Sequence, residues 1–105
     1  MNGATSPRIR RLPEALMAEI ARFLGIIISL YLETGGQHHH AHFHVRYNEY
    51  KAVYGIDPVV QLTGALPLRQ QRIVEAWAEI HQQELQAAWN IVQRGGAPAR
   101  IPGIG

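Results

Sequence analysis

Cysteine is missing altogether from these 105 residues, which excludes disulfides, thiolate zinc sites and cysteine nucleophiles together. Any transition metal bound here must take nitrogen and oxygen ligands. Aspartate occurs once, at Asp57 in a turn-forming Asp-Pro pair, and serine twice, at Ser6 and Ser29, so a Ser-His-Asp triad has little material. No glycine-rich phosphate loop, His-Glu-x-x-His helix or calcium loop is present. Long apolar runs are scarce as well. The longest, "FLGIIISLYL" from Phe23 to Leu32, holds about half of the ~20 residues that span a bilayer and reads as a buried strand. The arginine-bearing start "MNGATSPRIRR" is followed by Glu14 and Glu19 and by no small-residue cleavage pattern. The expectation is a cytoplasmic protein with a flexible basic arm over residues 1–12 and no membrane partner.

What is present suits one folded domain. Hydrophobic residues make up 47% and charged residues 17% of the chain, enough for a single core and too short for two. The net charge of +2 comes from scattered arginines, a solvated surface or a modest RNA or phosphate footprint.

The pattern along the chain predicts an α+β fold. Pro13 and the stripe Leu16, Ile20 and Phe23 or Leu24 read as a short N-terminal helix ending at Gly25. Ile26 to about Leu32 is the first strand, stopped by "ETGG". From Phe43 alternation is explicit: Phe43, Val45 and Tyr47 share one face, His42, His44, Arg46 and Asn48 the other. Asn48-Glu49 connects to "YKAVYGI", and Asp57-Pro58 to "VVQLT", with Gly64 closing a three- or four-stranded antiparallel meander. Pro67 opens a long C-terminal helix from Leu68 to Arg94, ended by Gly95-Gly96. As one rod it would be ~40 Å long, so a bend near His81 to Gln83 is expected. Residues 13–94 then form the domain, and 95–105 a loose Pro/Gly-rich tail in which Ile101 is the residue expected to pack.

Five of the six histidines fall within His38 to His44. The run is mid-chain and leads into a strand, which excludes a terminal tag. In an extended chain His38, His40, His42 and His44 share a face and His39 takes the other. Residues two apart stand ~6.5–7 Å apart along a strand, a spacing at which two imidazoles converge on one ion. His42 and His44 are therefore a candidate zinc-chelating pair; the competing reading is a solvated polar face, and no supporting carboxylate is identifiable nearby. On the long helix, Ile73, Val74, Trp77, Ile80, Leu85, Ala88, Ile91 and Val92 form an apolar stripe with His81 and Glu84 inside it. Polar groups there must be paired or near water. Either they satisfy each other at i, i+3, or they reach a polar pocket shared with His42 and His44. Strand parity opposes the second: if Phe43 faces the helix, His42 and His44 face away, and the halves meet only at a sheet end or bulge. Trp77 and Trp89 read as core, and Arg46, Arg69 and Arg72 as surface arginines or phosphate contacts.

These stretches together resemble a bacterial family known as domain of unknown function 4160. It is marked by a Gly-Ile strand, a His-x-Pro-Pro-His-Phe-His-Val segment, a Gly-x-Leu-Pro helix start and a helix bearing Trp, His, Glu-Leu and Trp. They appear here as "FLGIIISLY", "HHHAHFHV", "GALP" and "WAEIHQQELQAAW", over about residues 20 to 102. His38, His42, His44, His81 and Glu84 fall on the pattern, whereas His39 and His40 do not, and His40-Ala41 replaces the double proline. Family members are often encoded beside another small protein, an arrangement that looks like a toxin-antitoxin pair. The resemblance thus implies a component of such a module, acting on a small partner protein or RNA; the candidate catalytic residues are His42, His44, His81 and Glu84, which fall on the family pattern, and Arg46, which stands beside the histidines. In a ribonuclease one imidazole would deprotonate the ribose 2′-hydroxyl, another protonate the leaving oxygen, and Arg46 steady the phosphate. The alternatives are a zinc protein, with or without hydrolytic activity, using His38, His42, His44 and His81, and a non-catalytic interaction module.

Overall fold

The computed structural model describes residues 17–33 and 40–105. Five strands form one antiparallel meander in the order β1-β2-β3-β4-β5. They are β1 (Met17–Phe23), β2 (Ile26–Tyr31), β3 (His42–Tyr47), β4 (Tyr50–Gly55) and β5 (Gln61–Ala65), followed by two helices, α1 (Leu68–Ile80) and α2 (Gln82–Gln93). The α+β class and the meander are as expected; the strand count is five.

The expected short N-terminal helix does not form over its described part, where β1 stands instead; residues 13–16 and the basic arm lie outside the described residues. The physical reason is a bulge. Glu19 and Ala21 flank a register shift against β2, so Ile20, Ala21 and Phe23 all reach the core, a spacing that mimics a helical stripe. Gly25, read as a helix end, is instead the second residue of a two-residue hairpin. Leu24 and Gly25 have φ of 52° and 79°, the paired left-handed conformation that matches strand twist. Asn48 takes φ 53° in the β3–β4 connection. Gly64 sits within β5 at φ 83°, where a Cβ would collide with the Lys51 carbonyl oxygen and fall 2.7 Å from the Ala52 Cα, so the position takes only glycine and the strand runs on through it to Ala65.

One sheet face carries Ile26, Ile28, Leu30, Phe43, Val45, Ala52 and Tyr54, all buried. Val74, Trp77 and Ala78 of α1 and Leu85, Ala88, Trp89 and Val92 of α2 pack on it. Phe43 stacks on Tyr54 at 5.6 Å and meets Trp77 edge-on at 6.2 Å. The expected bend is a break at His81, whose N–H still donates to the Trp77 carbonyl at 3.0 Å. Ile80, expected in the stripe, is 72% exposed, because the buried positions run 74, 77, 78, then 85, 88, 89, 92 and bypass it. The tail is not loose. Ile101 is buried and its N–H donates to the Ile20 carbonyl at 2.8 Å, while Trp77 Nε1 donates to the Pro102 carbonyl at 2.8 Å. Among the described residues no helix is long and apolar enough to cross a membrane.

Candidate metal centre

Alternation in β3 sends Phe43 and Val45 to the core and His42, His44 and Arg46 to the opposite face. Ser29 of β2 lies opposite His44, and Glu33 follows two residues beyond the end of β2. Its backbone is held from a distance in sequence. Gln93, the last residue of α2, accepts the Glu33 N–H at Oε1 and donates from Nε2 to the Tyr31 carbonyl, both at 2.9 Å. One side-chain amide thus does for the end of β2 what a neighbouring strand's peptide would do.

The His42 ring is oriented by its own loop. Nδ1 lies 2.7 Å from the His40 carbonyl; a carbonyl only accepts, so Nδ1 carries the proton and donates. Nε2 then stands 3.3 Å from Glu33 Oε2. In the neutral ring that nitrogen offers a lone pair to a carboxylate, an arrangement that needs a proton or a cation between the two. His44 completes the group: one ligand atom from each of Glu33, His42 and His44 lies within 4.8 Å of the others. Two atoms bound at ~2.0–2.1 Å to a tetrahedral ion stand ~3.3 Å apart, the separation Glu33 and His42 have already.

Aromatic rings wall the group. Trp89 lies 5.0 Å from the His42 ring, Tyr31 4.5 Å from His44, and the two imidazoles are 5.5 Å apart. The His42 side chain is 14% and Glu33 25% exposed, so the site is sheltered but reachable. Burial holds the His44 pKa below its ordinary value and the adjacent His42 adds to this, against an opposing pull from Glu33. The net effect favours neutral His44, the form that ligates metal.

The other candidate residues lie elsewhere. The strand-parity obstacle holds: His42 reaches a helix only at the sheet end, and there it meets Trp89. His81 is bonded through Nδ1 to Glu84 and packs on Trp77 at 5.5 Å. It is no part of the Glu33, His42 and His44 group, the one metal-capable cluster among the described residues. The local pairing at i, i+3 is therefore the arrangement found, and Glu84, expected on the buried stripe, is 51% exposed. Arg46 is exposed on the His44 face, and His38 lies outside the described residues. Sequence reasoning missed Glu33 and Gln93. Glu33 was hidden because "ETGG" reads as turn material, and eight residues lie between it and His42.

Beside the centre the outer sheet face forms a concavity of about 540 Å³, which His44 and Tyr31 border together with Arg46 and Lys51. A family model, described as Domain of unknown function (DUF4160), matches residues 25–90. No curated protein and no solved structure matches the chain.

Proposed function

The chain belongs to the DUF4160 family, a membership that carries no activity with it, and from the site itself we propose that Glu33, His42 and His44 bind a zinc ion. One observation carries the reading: His42 donates from Nδ1 to a backbone carbonyl and aims Nε2 at the Glu33 carboxylate from 3.3 Å. A ring nitrogen hydrogen-bonded to a carbonyl, with its partner nitrogen free to ligate, is the usual orientation of zinc-bound histidine. Three protein ligands would leave a fourth position open, where zinc supplies Lewis-acid chemistry. His44 belongs both to this ligand group and to the lining of the concavity.

Metal analysis of tag-free protein after equilibration with zinc and gel filtration tests this. About one zinc per chain is expected, lost in the His42→Ala, His44→Ala double variant, weakened in Glu33→Gln and retained in His81→Ala. Metal-free protein from zinc-replete buffer would overturn the proposal.

A second reading is supported by Arg46 standing two residues from His44 on the same face: a component of a toxin-antitoxin-like module, cytoplasmic, acting on RNA or a small partner protein. Expression with and without the neighbouring small protein, followed by growth and RNA integrity, tests it. Unchanged growth and intact RNA in both arms would reject a toxin role.

A further inference from the structure

Lys51 of β4 lies directly opposite Arg46 of β3. Like charges in that position destabilise a sheet, and neither cation has a carboxylate within 4.0 Å among the described residues. On the other side of Arg46 the row continues through Ile27 to Arg22, whose guanidinium is taken by Glu19 at 2.8 Å. Two cations with no carboxylate partner among the described residues therefore sit side by side in the concave outer face. An anion placed over both relieves their repulsion.

The rest of the face narrows the ligand. Moving along β3 from Arg46, the next outer position is His44, and beyond it the Tyr31 ring, 39% exposed, lies edge-on to His44. Four residues of strand separate the cation pair from the aromatic position, ~13 Å. An acidic peptide would engage the cations and leave the ring unused. A nucleic acid with unpaired bases engages both, phosphates on the cations and a base on the aromatic face, as sheet surfaces that bind single strands do.

We infer that the outer face of this sheet binds single-stranded nucleic acid, with phosphates on Arg46 and Lys51 and a base on Tyr31. This deepens the RNA reading above by naming its surface, and it needs no metal, so the zinc proposal stands or falls separately. The strand would pass over His44, the residue that the concavity shares with the metal centre.

The test is fluorescence anisotropy with a labelled mixed-sequence 12-nucleotide RNA and the matching single-stranded DNA, in chelator at 50 mM salt. A duplex of the same sequence and a poly-glutamate peptide serve as competitors. Saturable binding is expected, weakened at least 10-fold by Lys51→Glu and by Arg46→Gln, and ~5-fold or more by Tyr31→Ala. Replacing both cations should flatten the dependence of log affinity on log salt by about 1.4. Lys51→Glu carries an internal control, because it turns a repulsive cross-strand pair into an attractive one: its Tm should rise by about 1–5 °C while binding falls. Arg69→Gln with Arg72→Gln, on α1, should leave affinity unchanged. Absent binding, undiminished binding in Lys51→Glu, or tighter binding of duplex or poly-glutamate overturns the inference. The growth and RNA-integrity assay is separate from all of these, so an RNA effect in cells without binding to this face rejects the surface and not the module. RNA bound more tightly than DNA assigns the natural strand as RNA; the reverse order assigns DNA, and either order supports the surface.

Discussion

Gln93 shows how one residue can govern a site it does not enter. Its amide holds the Tyr31 carbonyl and the Glu33 N–H at once, fixing the backbone from which the Glu33 carboxylate projects toward His42. Removing that clamp frees the chain end without removing a ligand, and groups that orient metal ligands typically contribute 10–100-fold in affinity. Gln93→Ala is accordingly expected to weaken zinc binding ~10-fold or more in a competition titration with a chromogenic chelator. The accompanying loss of two hydrogen bonds should cost about 1–2 kcal/mol, visible in denaturant unfolding. Glutamate at this position keeps the acceptor for Glu33 N–H but loses the donor to Tyr31 and adds a like charge beside Glu33. Gln93→Glu should thus weaken zinc at least as much as Gln93→Ala. Unaltered affinity in both variants would show that Glu33 is placed without the amide. Nothing in the sequence marks Gln93, because its partners are backbone atoms about sixty residues away.

At the scale of elements, the histidine strand and the long helix were legible for opposite reasons. Phe43, Val45 and Tyr47 alternate with polar residues over a full strand, and an open outer face preserves that alternation in the structure. The helical stripe was legible too, yet His81 inside it invited a catalytic reading that the break between the helices explains otherwise. His81 precedes the first turn of α2, with Glu84 in that turn, where a carboxylate also complements the helix dipole. The pair finishes one helix and begins the next while the imidazole covers Trp77. His81→Ala should destabilise the fold by about 1–2 kcal/mol and leave zinc stoichiometry and nucleic-acid affinity as they are. Loss of either without loss of stability would return His81 to the site. β1 was illegible because a bulge gives a strand the spacing of a helix, and only pairing with β2 decides between the two. Glu33 was illegible for a related reason: it becomes a neighbour of His42 through the antiparallel pairing of β2 with β3, which local pattern does not encode.

At the scale of the whole molecule, the two ends of the described chain are tied together by charge. Glu19 on β1 accepts from Arg22 at 2.8 Å and from Arg100 of the tail at 3.0 Å, and Arg100 also donates to the Glu19 carbonyl at 3.1 Å. Composition predicted a loose tail since glycine and proline dominate it; the ties that hold it are the single residues Arg100, Ile101 and Pro102, which form no periodic signal. The hydrogen bonds from Arg22, then Arg100, with their charges, lower the Glu19 pKa from 4.5 to about 2 against a smaller opposing effect of burial. Because the folded-state value is depressed, the stabilisation is complete above about pH 4.5, where the carboxylate is ionised in both states. As pH falls toward 2 the unfolded chain takes up the proton first, so the contribution drains away through that window and is gone below it. Tm should therefore drop between pH 4.5 and 2, and Glu19→Gln should lower Tm at pH 7 while flattening that decline. Because these pairs are partly exposed, high salt should shrink the difference between the two proteins. Equal acid sensitivity in wild type and Glu19→Gln would assign the acid transition to other carboxylates and leave Ile101 and Trp77 as what anchors the tail.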